Sequence, residues 1–317
     1  MMEKLMMTKK TNNRPSTINN FCVVVAEPIG FCSGVERAIR MARRVMGTNG
    51  RVYSLGPLIH NPIVVEELIR QGLEPVKDIK RAAKKTLVIR SHGCAPELLK
   101  EAKKLSIKIV DATCPNVAKV QRYASNLSRE GYTVVVVGDK THPEVKSILA
   151  YAGKSGIVYK PEMKINAKKI GILAQTTTSL NLFNRAIEEL FKYNFEEIRV
   201  FNTICKEAAS RQRAVKEIGS SVDLMLIIGG KNSSNTQRLA ETVRKIGKSV
   251  YPIEKKEEID WNWFSQAKTV GIAAGTSTPS LVIDEIVEFL KNPRNLSSGV
   301  TIRQGGLDRI SYKEVKP

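Results

Sequence analysis

Glu27-Pro28-Ile29-Gly30-Phe31-Cys32-Ser33-Gly34-Val35-Glu36-Arg37-Ala38 decides how this chain is read. The apolar run Cys22 to Ala26 ahead of it is a strand, and Pro28 and Gly30 turn it. One cysteine follows, and a helix begins: Ser33 and Glu36 fit the S-x-x-E capping box, which sets Cys32 just before the helix N-terminus. Free backbone N–H groups and the positive end of the helix dipole favour a thiolate there. Ile109-Val110-Asp111-Ala112-Thr113-Cys114-Pro115 repeats the pattern, with proline at a first helical position. Val200-Phe201-Asn202-Thr203-Ile204-Cys205 repeats it again before Lys206-Glu207-Ala208-Ala209.

From these three points a threefold repeat can be traced. Gly56, Gly138 and Gly229 each lie 24 positions after a cysteine (Cys32, Cys114 and Cys205). Four residues beyond each glycine stands a polar side chain: His60, His142 and Ser233. A helix, a weak strand, another helix and a strong strand should follow in each copy. The strong strand then opens into a polar loop: Arg90-Ser91-His92-Gly93, Gln175-Thr176-Thr177-Thr178 or Gly275-Thr276-Ser277-Thr278. The cysteine spacings of 82 and 91 residues (32 to 114, 114 to 205) set the length of the unit.

Strands alternating with helices argue α/β with parallel sheets. Strong strands are expected to end at Ala26, Leu55, Arg90, Asp111, Val137, Leu173, Asn202, Ile228 and Ala273, and weak ones to precede Lys77, Lys160 and Glu254. A Cys-bearing strand either begins its own unit or closes the preceding one, in which case the N-terminal strand closes the third. The expected organisation is a basic, disordered extension over 1–20 and units at 33–114, 115–205 and 206–290. The strand segment 21–32 closes the last unit, and 291–317 reads as a loop and tail. Ligands of open α/β sheets bind beyond the carboxyl ends of the strands. Three similar units with small, mainly parallel sheets, set pseudo-threefold about one axis, would bring every special loop to one central cavity.

Composition bounds the function. The chain has 317 residues and 42% hydrophobic content, enough for a large folded core, and no apolar run approaches the ~20 residues that span a bilayer. Lys and Arg number 51 against 31 acids, a net charge of +20 that attracts anions. These residues are spread along the chain without an arginine-rich block, so they read as solvated helix faces and not as a nucleic-acid footprint. Five cysteines, an odd number, fit a reducing, cytoplasmic compartment and metal or catalytic use better than disulfides. The first 20 residues lack the apolar core of a secretory signal. Dinucleotide (G-x-G-x-x-G) and C-x-x-C motifs are absent. Gly247-Lys248-Ser249 fails as a Walker A motif because Thr242 replaces its first glycine.

Three loop cysteines with one open position suit a catalytic zinc or a cubane iron–sulfur cluster with one non-cysteine iron. As small hydrophobes they would need no such role. Cys22 reads as core, and Cys94 follows His92-Gly93 in a functional loop, where a structural reading outweighs a functional one. All three histidines, His60, His92 and His142, fall in strand-end loops, where they can hold phosphate oxygens or move protons. The loops Lys231-Asn232-Ser233-Ser234-Asn235 and Gly275-Thr276-Ser277-Thr278-Pro279 offer hydroxyls, amides and N–H groups at helix starts, as phosphate cradles do. Glu144, after His142-Pro143, is either a proton donor in an anion site or a first-turn helix acid.

Taken together, these motifs resemble the 4-hydroxy-3-methylbut-2-enyl diphosphate reductase (LytB/IspH) family over roughly Val23 to Phe289. The resemblance rests on Gly-Phe-Cys-Ser-Gly-Val at Cys32, Gly-Pro-Leu-Ile-His-Asn at His60, Arg-Ser-His-Gly at His92 and Asp-Ala-Thr-Cys-Pro at Cys114. His142-Pro143-Glu144, Gln175-Thr176-Thr177, Asn-Thr-Ile-Cys at Cys205 and Asn232-Ser233-Ser234-Asn235 complete it. It implies a three-lobed α/β fold around one [4Fe-4S] cluster per chain, with Cys32, Cys114 and Cys205 as protein ligands and one open iron. His60, His92, Ser233, Ser234, Asn235 and Ser277 would hold the diphosphate, with His142 nearby, and Glu144 would donate a proton with Thr176. The substrate would be a small allylic diphosphate and the electron donor a ferredoxin or flavodoxin. A monomer or homodimer without nucleic acid or membrane is expected. A three-Cys zinc hydrolase of a phosphorylated substrate and a basic nucleic-acid-binding protein are the competing readings.

Overall fold

The computed structural model describes residues 21–49 and 51–291, together with two strands near the C-terminus. The extension over 1–20 and its reading as a disordered arm lie outside the described residues. In chain order come β1 (Cys22–Ala26), α1 (Ser33–Asn49), β2 (Val52–Leu55), α2 (Pro62–Arg70), β3 (Leu73–Val76), β4 (Thr86–Ile89), α3 (Pro96–Lys104) and β5 (Lys108–Asp111). Next are α4 (Pro115–Arg129), β6 (Thr133–Val137), α5 (Pro143–Ala152), β7 (Gly156–Val158), β8 (Lys169–Ala174), α6 (Leu180–Leu190) and β9 (Glu197–Phe201). The last set is α7 (Lys206–Ser221), β10 (Leu224–Ile228), α8 (Ser234–Lys245), β11 (Ser249–Ile253), β12 (Thr269–Ala274), α9 (Ser280–Lys291), β13 (Ile302–Gly305) and β14 (Ser311–Lys313).

Three parallel sheets result, ordered β3-β2-β4-β5, β7-β6-β8-β9 and β11-β10-β12-β1. The topology is the same each time, and β1 stands beside β12 as β5 stands beside β4 and β9 beside β8. Each Cys-bearing strand therefore ends its sheet, and α1, α4 and α7 carry the chain to the next one. Two expectations need correcting. The second helix of each repeat is replaced by short 3-10 turns (Ile79–Ala82; Lys256–Glu258 and Trp261–Phe264) and by no helix between β7 and β8, since these connections are too short and broken for a full amphipathic face. The segment read as a tail adds β13 parallel to β1 and β14 antiparallel to β13, extending the third sheet to six strands.

The strands are apolar in continuous runs because both faces of each sheet are covered. Alternate residues go to opposite sides. Val134 and Val136 of β6 join the core under α4 and α5, whereas Val135 and Val137 join the core under α6. Leu224, Leu226 and Ile228 of β10 face α9, and Met225 and Ile227 face α7 and α8. In the first sheet Val52 and Val88 face α1 and α2, with Tyr53, Leu87 and Ile89 on the side of α3. Fixing both faces fixes the strand register, and with it the height at which each carboxyl-end loop leaves the sheet. Among the described residues no helix is long and apolar enough to cross a membrane.

Candidate active site

The three cysteines sit in one backbone setting. Each is the N-cap of its helix: the Cys32, Cys114 and Cys205 carbonyls accept from the N–H groups of Glu36, Ala118 and Ala209 at 2.9–3.0 Å. Each donates its own N–H to the polar loop of the sheet it has just left, Cys32 to the Thr276 carbonyl (3.0 Å), Cys114 to Ser91 (3.0 Å) and Cys205 to Thr176 (2.8 Å). This corrects the capping-box reading. Ser33 is the first helical residue, and the cysteine occupies the cap in all three places.

The cysteines face one another. A Cβ on Gly34 would come within 2.6 Å of the Cys114 sulfur, so only glycine lets α1 approach that thiol. The Asn116 amide nitrogen lies 3.3 Å from the Cys205 sulfur. Burial pushes the Cys32 thiol above its ordinary range, and the N–H groups of Val35 and Gly34 pull the other way, against the charges of Cys114 and Cys205. Cys114 is likewise raised by burial, opposed by the N–H groups of Asn116 and Val117. At Cys32 and Cys114 the helix termini thus act as expected on a thiolate, but desolvation outweighs them, and a cation would be needed to hold both as thiolates. The donor set fits a cationic metal group.

Across the same cavity stand the histidines. Their ring centroids are 4.5 Å (His60–His92), 5.4 Å (His60–His142) and 5.2 Å (His92–His142) apart. One ring nitrogen of each lies within 4.8 Å of the others, close enough to hold a metal ion. Burial holds all three neutral, helped by the Arg90 charge and, for His92 and His142, by the neighbouring rings: His60 and His142 fall to about 4, and His92 well below its usual value. His142 caps α5, its Nδ1 accepting from the Glu144 N–H at 3.2 Å, which leaves the proton of the neutral ring on Nε2. His60 Nε2 and His92 Nδ1 are buried without a partner, as are both amide atoms of Asn235. Buried polar atoms are rarely left so, and their concentration in one place marks a site that completes itself with a polar ligand.

Glu144 is 2% exposed. Its carboxylate accepts from the Thr176 N–H (2.7 Å) and hydroxyl (2.8 Å). Burial pushes it up to about 7, against both of those bonds. Glu144 therefore titrates near neutrality, where an acid that must give up a proton belongs. Beside it the Ser234 hydroxyl meets Gln175 Nε2 (3.2 Å) and Thr177 Oγ1 (3.0 Å), tying α8 to the loop after β8. Ser233 caps α8, and the Ser277 hydroxyl donates to the His60 carbonyl at 3.1 Å. All twelve residues singled out from the sequence line one cleft of about 690 Å³, its open mouth included: the three cysteines, three histidines, Glu144, Thr176, Ser233, Ser234, Asn235 and Ser277.

Several contributors carried no sequence signal. Asn116 lies in the first turn of α4, Ser91 and Thr177 stand inside longer motifs, and Gln121 and Ser147 lie mid-helix. Gln121 Nε2 donates to Ser147 Oγ (3.0 Å), which donates to the His92 carbonyl (3.1 Å). That chain fixes the His92 loop through packing between α4 and α5, and no local pattern announces it. Cys94 lies against the core under α3, its thiol pushed up to about 12 by burial, and Cys22 stays on β1.

Known proteins match this chain along most of its length. The family description "LytB protein" matches residues 23–291. The 4-hydroxy-3-methylbut-2-enyl diphosphate reductase of Geobacter sulfurreducens is 43% identical over 282 residues, covering 87% of this chain and 99% of that protein. The protein of the same name from Dictyoglomus thermophilum is 44% identical over 273 residues, covering 84% and 95%. A solved (E)-4-hydroxy-3-methyl-but-2-enyl diphosphate reductase, described as the terminal enzyme of the non-mevalonate pathway, aligns at 39% identity with a TM-score of 0.63 over 84% of this chain and 98% of that one. The E-1-hydroxy-2-methyl-but-2-enyl-4-diphosphate reductase from Plasmodium falciparum aligns at a TM-score of 0.84 over 94% and 96%, and at 24% identity it bears on the fold alone.

Proposed function

The chain belongs to the LytB family, and from that premise we propose that Cys32, Cys114 and Cys205 hold a [4Fe-4S] cluster at the floor of the central cleft, facing the site of an allylic diphosphate. The enzyme is the terminal reductase of the non-mevalonate isoprenoid pathway. It takes 4-hydroxy-3-methylbut-2-enyl diphosphate, two electrons and two protons to isopentenyl or dimethylallyl diphosphate and water. One C–O bond breaks and one C–H bond forms.

The observation that carries the cofactor reading is the identity of the three cysteine settings, each an N-cap bonded to the loop of the sheet it leaves. When bound, such a cluster supplies electrons singly and a Lewis-acidic iron for the hydroxyl oxygen.

The chain's own groups do the rest. Nε2 of His60, Nδ1 of His92 and the amide of Asn235 have no partner within the protein, and diphosphate oxygens and the proton on a bound phosphate would satisfy them. The hydroxyls of Ser233, Ser234 and Ser277 line the same wall. Neutral histidines beside a dianion gain protons, so substrate binding takes up protons at neutral pH. Glu144 holds a proton near pH 7 and delivers it to the departing oxygen, so that water leaves and not hydroxide. Thr176 orients that carboxyl, and His142 stands within the same ring cluster as the groups that hold the diphosphate.

The electron donor we propose is a small acidic ferredoxin or flavodoxin. Arg40, Arg122 and Arg213, each eight residues after a site cysteine and each exposed, offer a cationic rim on the three helices that begin at the cysteines. The test of the ligand set is a Cys→Ser series after anaerobic reconstitution. Cys32, Cys114 and Cys205 variants should each lose most iron and acid-labile sulfide, and Cys22→Ser and Cys94→Ser should keep both. Equal loss at Cys22 would overturn the assignment.

A further inference from the structure

The threefold repeat is broken at one buried position. Six residues after Cys32 and Cys114 stand Ala38 and Val120, both buried apolar contributors to their helix cores. Six residues after Cys205 stands Arg211, 3% exposed. Packing asks for a small apolar residue there, and the third unit supplies a guanidinium instead.

That guanidinium stays charged under all ordinary conditions. Nη1 donates to the Ala274 carbonyl at 3.0 Å and Nη2 to the Gly30 carbonyl at 2.8 Å. Nε has no partner. Two neutral carbonyls orient the group but do not neutralise it, and among the described residues no carboxylate lies within ion-pairing distance. Glu207, one turn earlier on α7, and Cys32 are the negative groups that act on it. Glu207 lines the cleft and forms no ion pair with it. A buried cation without a counter-charge is strongly unfavourable, so one is expected nearby. Gly30 stands two residues before Cys32, which places Arg211 behind the cysteine floor of the cleft.

We propose that Arg211 is the internal counter-charge of the group held by Cys32, Cys114 and Cys205, a positioning residue that anchors the Cys32 loop and raises the potential at which that group accepts an electron. The inference rests on the cluster reading above. Three thiolates on a [4Fe-4S] core carry net negative charge, and reduction adds one more. A fixed buried cation stabilises the reduced state more than the oxidised one, so its removal makes reduction harder. Before the cluster binds, the same cation is an uncompensated charge that destabilises the cluster-free protein.

These two effects have opposite signs, which a purely structural staple would not produce. The full chain is reconstituted anaerobically as parent, Arg211→Met, Arg211→Gln and Arg211→Lys. Midpoint potentials are read by dye-mediated titration, and thermal unfolding is followed with and without cluster. Arg211→Met and Arg211→Gln should lower the reduced-to-oxidised ratio at fixed poise by about tenfold, which is about 59 mV for a one-electron couple. Arg211→Lys should recover most of that shift. Cluster-free Arg211→Met should unfold no earlier than the parent, and the loaded variant should unfold earlier than the loaded parent. Unchanged potentials in the Met, Gln and Lys variants alike would overturn the proposal, as would equal destabilisation of the loaded and cluster-free forms. Should Arg211→Met fail to fold, Arg211→Gln and Arg211→Lys carry the same comparison. A parent that binds no iron or sulfide would overturn the cluster reading itself, a failure distinct from a loaded parent whose potential ignores residue 211.

Discussion

Glu144 is held between two opposing influences of Thr176 and of burial. The hydroxyl and N–H of Thr176 favour the carboxylate, and removal from water favours the acid. Burial wins and sets the group at about 7. If proton delivery limits turnover, the rate falls as pH rises through about 7, and a pre-steady-state pH profile reads this directly. Glu144→Gln keeps the shape but has no transferable proton. It should lower kcat by about 10²- to 10⁴-fold with cluster content and substrate affinity nearly unchanged, and normal turnover would remove Glu144 from the proton path. The same shifts enter stability with opposite signs. Glu144 is raised when folded, so its contribution is present below about 4.5 and lost as pH rises to about 7. His60 and His142 are lowered when folded, so theirs is present above about 6.5 and lost as pH falls to about 4. His60→Asn should therefore flatten the fall of Tm between pH 6.5 and 4 in the substrate-free protein. An unchanged slope would mean that the ring is not held neutral by burial.

At the scale of elements, the three helix starts carry the site. Gly34 sits in the first turn of α1, and its lack of a side chain admits the Cys114 sulfur. Gly34→Ala forces a Cβ to 2.6 Å from that sulfur, so one helix or the thiol must shift. The expected outcome is a loss of retained iron and sulfide, with a cost of about 1–3 kcal/mol in the cluster-free protein by denaturant titration. Full cluster retention would show that α1 and Cys114 do not pack this closely. Much of this level was legible in the sequence. The strand ends fell within one or two residues of those observed, because runs such as Val134–Val137 are apolar on both faces and bounded by turn residues. The cap was misassigned because Ser33 is the better N-cap by chemistry, yet the site spends that position on Cys32. The 3-10 turns read as helices in the sequence because their residues are helix-permissive, and only the shortness of the connections prevents a full helix. Contacts that cross units, such as Gln175 to Ser234 and Ser147 to the His92 carbonyl, have no local pattern to betray them.

The whole molecule places three similar sheets so that their carboxyl-end loops share one cleft, and no single unit holds a complete site. Seams between the units are tight where the histidines sit: a Cβ on Gly230 would lie 2.3 Å from the His60 carbonyl oxygen. The +20 charge belongs to this scale as well. If Arg40, Arg122 and Arg213 meet an acidic protein donor, then replacing all three with Glu should slow ferredoxin-driven turnover by about tenfold or more at low salt. The parent's own ferredoxin-driven rate should fall as salt rises, and the viologen-driven rate should hold in both proteins. A parallel loss with viologen would indicate damage to the site and not to docking. The account turns most directly on one anaerobic assay, in which cluster-loaded protein is mixed with reduced methyl viologen and 4-hydroxy-3-methylbut-2-enyl diphosphate and bleaching is followed. It predicts substrate-dependent oxidation of two viologens per diphosphate, with isopentenyl and dimethylallyl diphosphates as products. A fully loaded protein that leaves the viologen reduced in the presence of substrate would contradict it.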